Sequence, residues 1–182
     1  MITTPFKFLK PGKLVDRDLE LVLARTEEAD LVKRHSPMYE FEMVDTSQRK
    51  IMGKIRLRIA SAVALRYPGH IGFEVARRFR GCRNAARSGQ LFLPLAYAHG
   101  LKAVWLSVDP KNTASEKTCQ IIGAKYVETV RIPRDHEMYL DGSRYCRRYR
   151  LSLHNMPPTG RLLVIAIRHS LVSSRVGGGS VR

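Results

Sequence analysis

The stretch GHIGFEVARRFRGCRNAARSGQLFLPLAYAHGLKAVWLSVDPKNTASEKTCQIIG, residues 69–123, decides how the rest of the chain is read. It opens on apolar residues at Ile71, Phe73 and Val75, alternating as a half-buried strand requires. A turn crowded with arginines follows, then helical spacing of Leu91, Leu95 and Ala98, then a second apolar run from Ala103 to Val108. The order is strand, basic turn, helix, strand. A helix that begins straight after such a turn offers unpaired N–H groups and the positive end of its dipole, which suits a phosphate-bearing ligand.

The turn itself is Arg80-Gly81-Cys82-Arg83-Asn84-Ala85. It resembles the acyl-CoA pyrophosphate loop of the GNAT N-acetyltransferase superfamily, Q/R-x-x-G-x-G/A, with Arg80 on the first position, Ala85 on the last, and Arg83 where the family usually has glycine. Two flanking pieces extend the resemblance. Gly69 to Val75 looks like the family's fourth strand, and Asn112-Thr113-Ala114-Ser115 followed by Gly123-Ala124 looks like its N-x-x-S…G-F/A signature after the fifth strand. Thr118-Cys119 and Cys146-Arg147 also match residues found in some members, with Arg148 as an extra residue before Tyr149. The resemblance spans roughly residues 16 to 153, about one domain.

The resemblance implies acetyl-CoA as co-substrate. Its pantetheine arm would lie between the splayed fourth and fifth strands, with backbone at Val75 and Arg77 contributing bonds. The diphosphate would fall on Arg80, Gly81, Cys82, Arg83, Asn84 and Ala85. At Arg83 a guanidinium stands where glycine would let backbone approach the diphosphate closely, so either the side chain swings out and adds a charge-assisted contact or the loop is compromised. Asn112 and Ser115 are further cofactor-binding candidates, with capping of the following helix as Asn112's other role. Glu74 is the candidate base, directly or through a water, because it is the acidic residue on the strand beside the acetyl group. A surface carboxylate paired with Arg77, Arg78 or Arg56 is the alternative. Cys119 stands four residues before Gly123, where many members carry the tyrosine that protonates the leaving thiolate, and it is the second catalytic candidate beside its plainer use as a small buried residue.

Composition bounds the rest. With 182 residues and 44% hydrophobic content there is material for one core with appendages. No apolar run is long enough to cross a bilayer, and Pro5 and Pro11 interrupt the short apolar patch near the N-terminus, so a soluble cytoplasmic protein with no membrane partner is expected. Cys82, Cys119 and Cys146 are too few and scattered for a disulfide framework, and no Cys/His spacing suggests a metal site. The net charge of +16 should attract anions of every kind, and no Asp or Glu follows Asp141.

Along the chain, residues 1–15 read as an irregular lead-in. A first strand is expected from Asp18, then a short helix capped by Thr26. Tyr39 to Val44 and Ile51 to Ile59 form a hairpin about a polar turn at Asp45–Gln48, placing Arg56 and Arg58 on the face opposite Ile55, Leu57 and Ile59, toward solvent or a ligand. His70 shares a strand face with Glu74, either relaying a proton or serving structure. A helix is expected over about Asn84–His99, kinked at Pro94 and ended by Gly100, then a strand over Lys102–Val108 and a helix over Ser115–Ile122. Tyr126 to Val130 and Tyr145 to Leu153 close the domain as a hairpin, joined by a polar loop over residues 133–143.

The expected fold is α/β (α+β): a mixed, mostly antiparallel sheet of six to seven strands, helices on both faces, and splayed fourth and fifth strands. Residues 16–153 would form the domain and residues 154–182 a basic, partly flexible extension. The expected activity is acyl-CoA-dependent N-acetyl transfer to a primary amine in a ternary complex, its acceptor decided by the loops near residues 26–39 and 133–143. A non-catalytic CoA- or RNA-binding module on the same fold is the alternative. A second copy of the chain and nucleic acid reached through the basic C-terminal segment are further candidate partners.

Overall fold

The computed structural model describes residues 6–30, 32 and 35–154; the expected C-terminal extension beyond His154 lies outside them. Strands β1 (Leu14–Asp16), β2 (Leu19–Glu27), β3 (Met38–Asp45) and β4 (Lys50–Arg58) run as antiparallel neighbours, followed by β5 (Ile71–Val75). Helices α1 (Asn84–Leu91) and α2 (Leu93–Ala98) lead to β6 (Ala103–Val108). Helix α3 (Thr113–Ile122), β7 (Lys125–Arg131), the one-turn α4 (Glu137–Leu140) and β8 (Tyr145–Ser152) complete the domain. One eight-stranded sheet results, ordered β1-β2-β3-β4-β5-β6-β8-β7, in which only β5 and β6 pair in parallel.

The alternation read from sequence sets the faces. Tyr39, Phe41, Ile55, Leu57, Ile71, Val104 and Leu106 point to one side and bury against α1, α2 and α3, with Phe41 stacked on Phe92. Behind the sheet, Val130, Ile132 and Cys146 pack with Tyr67, Met138 and Tyr139, so α4 covers one end of the second face. The rest of that face is charged. Glu40, buried there, is ringed by Arg25, Lys54 and Arg56. Burial acts to raise the Glu40 carboxyl, and its bonds to Arg56 and Lys54 outweigh that and hold it below the usual range.

Four expectations change. Residues 14 and 15 are not irregular but begin β1, which folds onto β2 through a turn with Arg17 at φ 55° and brings the sheet to eight strands among the described residues, where six to seven were expected. No helix follows Thr26: β2 continues to Glu27, because Thr26 and Glu27 pair with Tyr39 and Met38, and ladder bonds outweigh a local cap. The helix expected over residues 84–99 is two helices broken at Phe92, whose backbone (φ −100°, ψ 3°) leaves the helical range and lets Pro94 enter the first turn of α2, where its missing N–H costs nothing. The loop over residues 133–143 contains α4, with His136 accepting the Met138 N–H as its cap.

Candidate functional site

The decisive geometry lies where β5 meets β6. The two strands are joined at one end: the His70 N–H donates to the Trp105 carbonyl at 2.7 Å, and Ile71 is in register with Leu106. Beyond Ile71 no β5 residue has a partner on β6, so the strands diverge. His70, 1% exposed, pins this apex. The Trp105 N–H donates to its Nδ1 at 3.1 Å, which leaves Nε2 protonated and donating to the Ala60 carbonyl at 3.1 Å. Burial, with Arg148 and Arg58 nearby, pushes its pKa below the usual range, so it is a structural rather than a proton-relaying histidine. Gly69 supplies the preceding turn at φ 69°, and a Cβ there would stand 2.9 Å from the Trp105 carbonyl oxygen.

Past the apex the peptide groups sort by partner. The Arg58 N–H bonds to His70 O and the Ala76 N–H to Met52 O, so by antiparallel alternation the groups of Gly72 and Glu74 turn to β4. Those of Phe73 and Val75 turn to the opening. The Val75 carbonyl accepts from Arg80 Nε at 3.0 Å, which leaves the Val75 N–H for another acceptor. The opening is a cleft of about 310 Å³ lined by Ile71, Gly72, Phe73, Leu106 to Asp109, Asn112 and Ser115, with Arg58, Glu137 and Met138. Because residues of both sheet faces line it, it passes through the sheet.

The loop leaving β5 carries exposed arginines and, among the described residues, peptide N–H groups without protein acceptors. A single 3-10 turn at Arg77–Phe79 leads to Gly81 at φ 85° and Arg83 at φ 58°, and α1 begins at Asn84. Among the described residues the peptide N–H groups from Gly81 to Ala86 have no protein acceptor; the next, Arg87 N–H, is the first bonded within the helix, to Arg83 O. Arg77, Arg80, Cys82 and Arg83 are exposed, whereas Asn84 and Ala85 are buried. Asn84 turns inward, its Nδ2 donating to Phe79 O at 3.3 Å and so tying the loop shut. Arg87 belongs to the frame, gripping Asp16 at 2.6 Å and Asp18 at 2.7 Å to hold α1 on the β1–β2 turn.

The remaining sequence candidates separate. Asn112 caps α3, its Oδ1 accepting the Ser115 N–H at 3.0 Å, and both residues also line the cleft. Glu74 is exposed on the face of Gly72 and opposite Lys54 in register, and among the described residues it makes no ion pair with Arg77, Arg78 or Arg56. Cys119, by contrast, is 0% exposed in the core, its thiol pushed up to about 12 by burial and then by Glu116. Glu137 and Arg58 are cleft residues that the motif reading does not select. His35 Nε2 lies 3.6 Å from Glu137 Oε2, which brings the two suspected acceptor loops together at the cleft.

The mixed sheet thus opens beside its one parallel pair, with a free-amide loop leading to a helix at the same end. No family model matches the chain, and no curated protein matches it in sequence. Solved structures do match. A Vibrio cholerae protein assigned as a ribosomal-protein-serine acetyltransferase aligns with TM-score 0.58 at 12% identity, over 79% of this chain and 99% of that one. Mycobacterium smegmatis RimJ, solved with CoA-disulfide, aligns with TM-score 0.51 at 21% identity, over 66% of this chain and 55% of that one. The Vibrio fischeri ribosomal-protein-S5-alanine acetyltransferase gives 0.50 at 18%, over 66% and 64%. The chain therefore has the GNAT acetyltransferase fold.

Proposed function

We propose that the protein is an acyl-CoA-dependent N-acetyltransferase that works by direct attack of an amine within a ternary complex. One observation carries the reading: a run of unengaged peptide N–H groups from Gly81 to Ala86 stands at the foot of a through-sheet opening whose β5 edge is unpaired. Each feature alone is ordinary; together they fit a diphosphate joined to an extended arm. A strand edge and a helix start that both present donors without protein acceptors fit one ligand that satisfies both.

Bound acetyl-CoA would supply the acetyl thioester. Gly81 to Ala86 would hold its diphosphate, with Arg77, Arg80 and Arg83 adding charge, and Asn112 and Ser115 would line its path through the cleft. The Phe73 and Val75 N–H groups, aimed at the opening, are the donors available to an oxygen that gains charge there. Glu74, unpaired and on the acceptor face, takes the amine's proton directly or through a water. We do not assign the proton donor to Cys119: a buried thiol near 12 gives up a proton poorly at neutral pH. That role falls to solvent at the cleft mouth.

A thermal-shift titration with acetyl-CoA tests binding, because a ligand of the folded state alone raises the melting temperature. CoA release against a panel of amines then tests turnover. No shift at millimolar acetyl-CoA would remove the proposal. The burial of Cys119 favours one second reading, a CoA-binding module without turnover; a melting shift with no acceptor in the panel acetylated would establish it.

A further inference from the structure

The charged face of the sheet contains one arginine that differs from its neighbours. Arg25 reaches Glu27 at 2.9 Å and Glu40 at 3.4 Å, Lys54 reaches Glu40 at 3.3 Å, and Arg56 reaches Glu40 at 2.6 Å. Farther along, Arg66 and Arg148 share Glu128. Arg58 makes no hydrogen bond or ion pair among the described residues, yet it is half-buried and lines the cleft. Of the two carboxylates that act on it through space, Glu27 is held by Arg25, and Glu137, 3.6 Å from His35, forms no ion pair with Arg58.

Desolvation, with Arg56 adding repulsion, holds the Arg58 pKa below the usual arginine range, the mark of a cation that has lost water without gaining a partner. Its position is built. Gly72 leaves the room it occupies, since a Cβ there would stand 3.3 Å from Nη1. The guanidinium therefore lies over β5 just past the apex, on the face opposite the anion loop, where an acceptor would enter if acetyl-CoA came from the α1 side.

We propose that Arg58 binds the carboxylate of the acceptor, and that the substrate class is an amine carrying a carboxylate a few bonds away. A guanidinium meets a carboxylate through paired N–H donors, which fixes orientation as well as charge. Glu137, on the same cleft wall, draws the acceptor's ammonium and disfavours a doubly charged phosphate, for which one unpaired cation is too little. Arg58 is thus a positioning and specificity residue, and the assignment rests on the acetyltransferase reading above.

The test uses the full chain and matched acceptors: an α-amino acid against its amide, and the C-terminally amidated dipeptide Ser-Asp against Ser-Asn. In CoA release the carboxylate member of at least one pair is expected to have a kcat/KM at least tenfold higher. Arg58→Gln should abolish that preference, and Arg58→Lys should restore part of it. A second readout needs no turnover: with CoA saturating, the carboxylate member should raise the melting temperature of the wild type further, and not that of Arg58→Gln. If acetyl-CoA shifts neither protein, the acetyltransferase reading falls and this inference with it. If acetyl-CoA shifts both, but the paired acceptors are indistinguishable in rate and melting, the inference alone is overturned.

Discussion

Replacing His70 with alanine should cost this protein a large share of its stability. The ring is 1% exposed and bridges two elements, accepting from Trp105 N–H and donating to Ala60 O, each at 3.1 Å. Truncation removes both bonds, about 1 kcal/mol each, and strands a buried N–H whose desolvation costs about 1–2 kcal/mol more. A sum of roughly 3–4 kcal/mol stands against a total of about 5–15 kcal/mol for a domain of this kind. The assay is urea unfolding of both proteins at pH 8, where the imidazole is neutral in either state. A loss under about 1 kcal/mol would refute the pin. The sign with pH follows from linkage. The folded pKa lies below the ordinary value of about 6.5, so on acidification the unfolded chain takes up a proton first. Stability falls as pH drops through about 6.5 and levels off once the folded ring also protonates. His99, likewise lowered by burial, adds a parallel slope, so the measured quantity is the difference between wild type and variant from pH 7.5 to 5.5, with the variant's decline the shallower. Equal slopes would mean that His70 titrates alike folded and unfolded.

Glu74→Gln should lower kcat by about 100-fold or more with the acetyl-CoA melting shift intact; full activity would mean that the base lies elsewhere, with Glu137 the next carboxylate to replace. Cys119→Ala should keep turnover within about twofold and cost roughly 1–2 kcal/mol in urea as a core truncation, whereas a large loss of kcat would return the thiol to the mechanism. Arg83 occupies left-handed backbone at φ 58°, so Arg83→Gly should leave urea stability within about 1 kcal/mol, strain relief offsetting backbone entropy. The same variant should weaken acetyl-CoA binding and flatten its salt dependence; unchanged affinity at every salt concentration would show that the guanidinium has no part in holding the ligand. Arg87→Ala frees α1 from Asp16 and Asp18 and should cost about 2–3 kcal/mol, read by urea unfolding.

Much of the fold was legible because its hairpins carry their own signals. Alternation at Tyr39, Phe41 and Met43, and again at Ile55, Leu57 and Ile59, gives both the strands and their buried face, and the turn between them is closed by Asp45 Oδ1 accepting from the Ser47 and Gln48 N–H groups. What escaped lacked a local signal. The three residues of β1 are too few for a period, and its turn uses Arg17 in a left-handed conformation where glycine or asparagine would have marked it. Thr26 read as a cap because capping is local, while its actual partner, Tyr39, is supplied by the sheet. The break at Phe92 did have a local signal in Pro94, which cannot continue α1, but the full separation into two helices, with Phe92 stacked on Phe41, goes beyond the kink that signal implies.

The site divides along the same line. The proposed anion-binding half is one continuous segment, Val75 to Ala85, and the motif reading selects it. The proposed acceptor half is assembled from β4, the start of β5 and α4, so Arg58, Gly72 and Glu137 meet only once the sheet has formed. Arg58 then differs from Arg56 in one respect that a sequence cannot show: Glu40 is within reach of Arg56, whereas among the described residues no carboxylate pairs with Arg58. An unpaired charge costs the fold stability wherever it loses water, and a tolerated cost of that kind beside a cleft is most simply explained by a ligand that removes it. On the reading proposed above, substrate choice would follow from what the sheet leaves unpaired, and the carboxylate-against-carboxamide comparison measures it at Arg58.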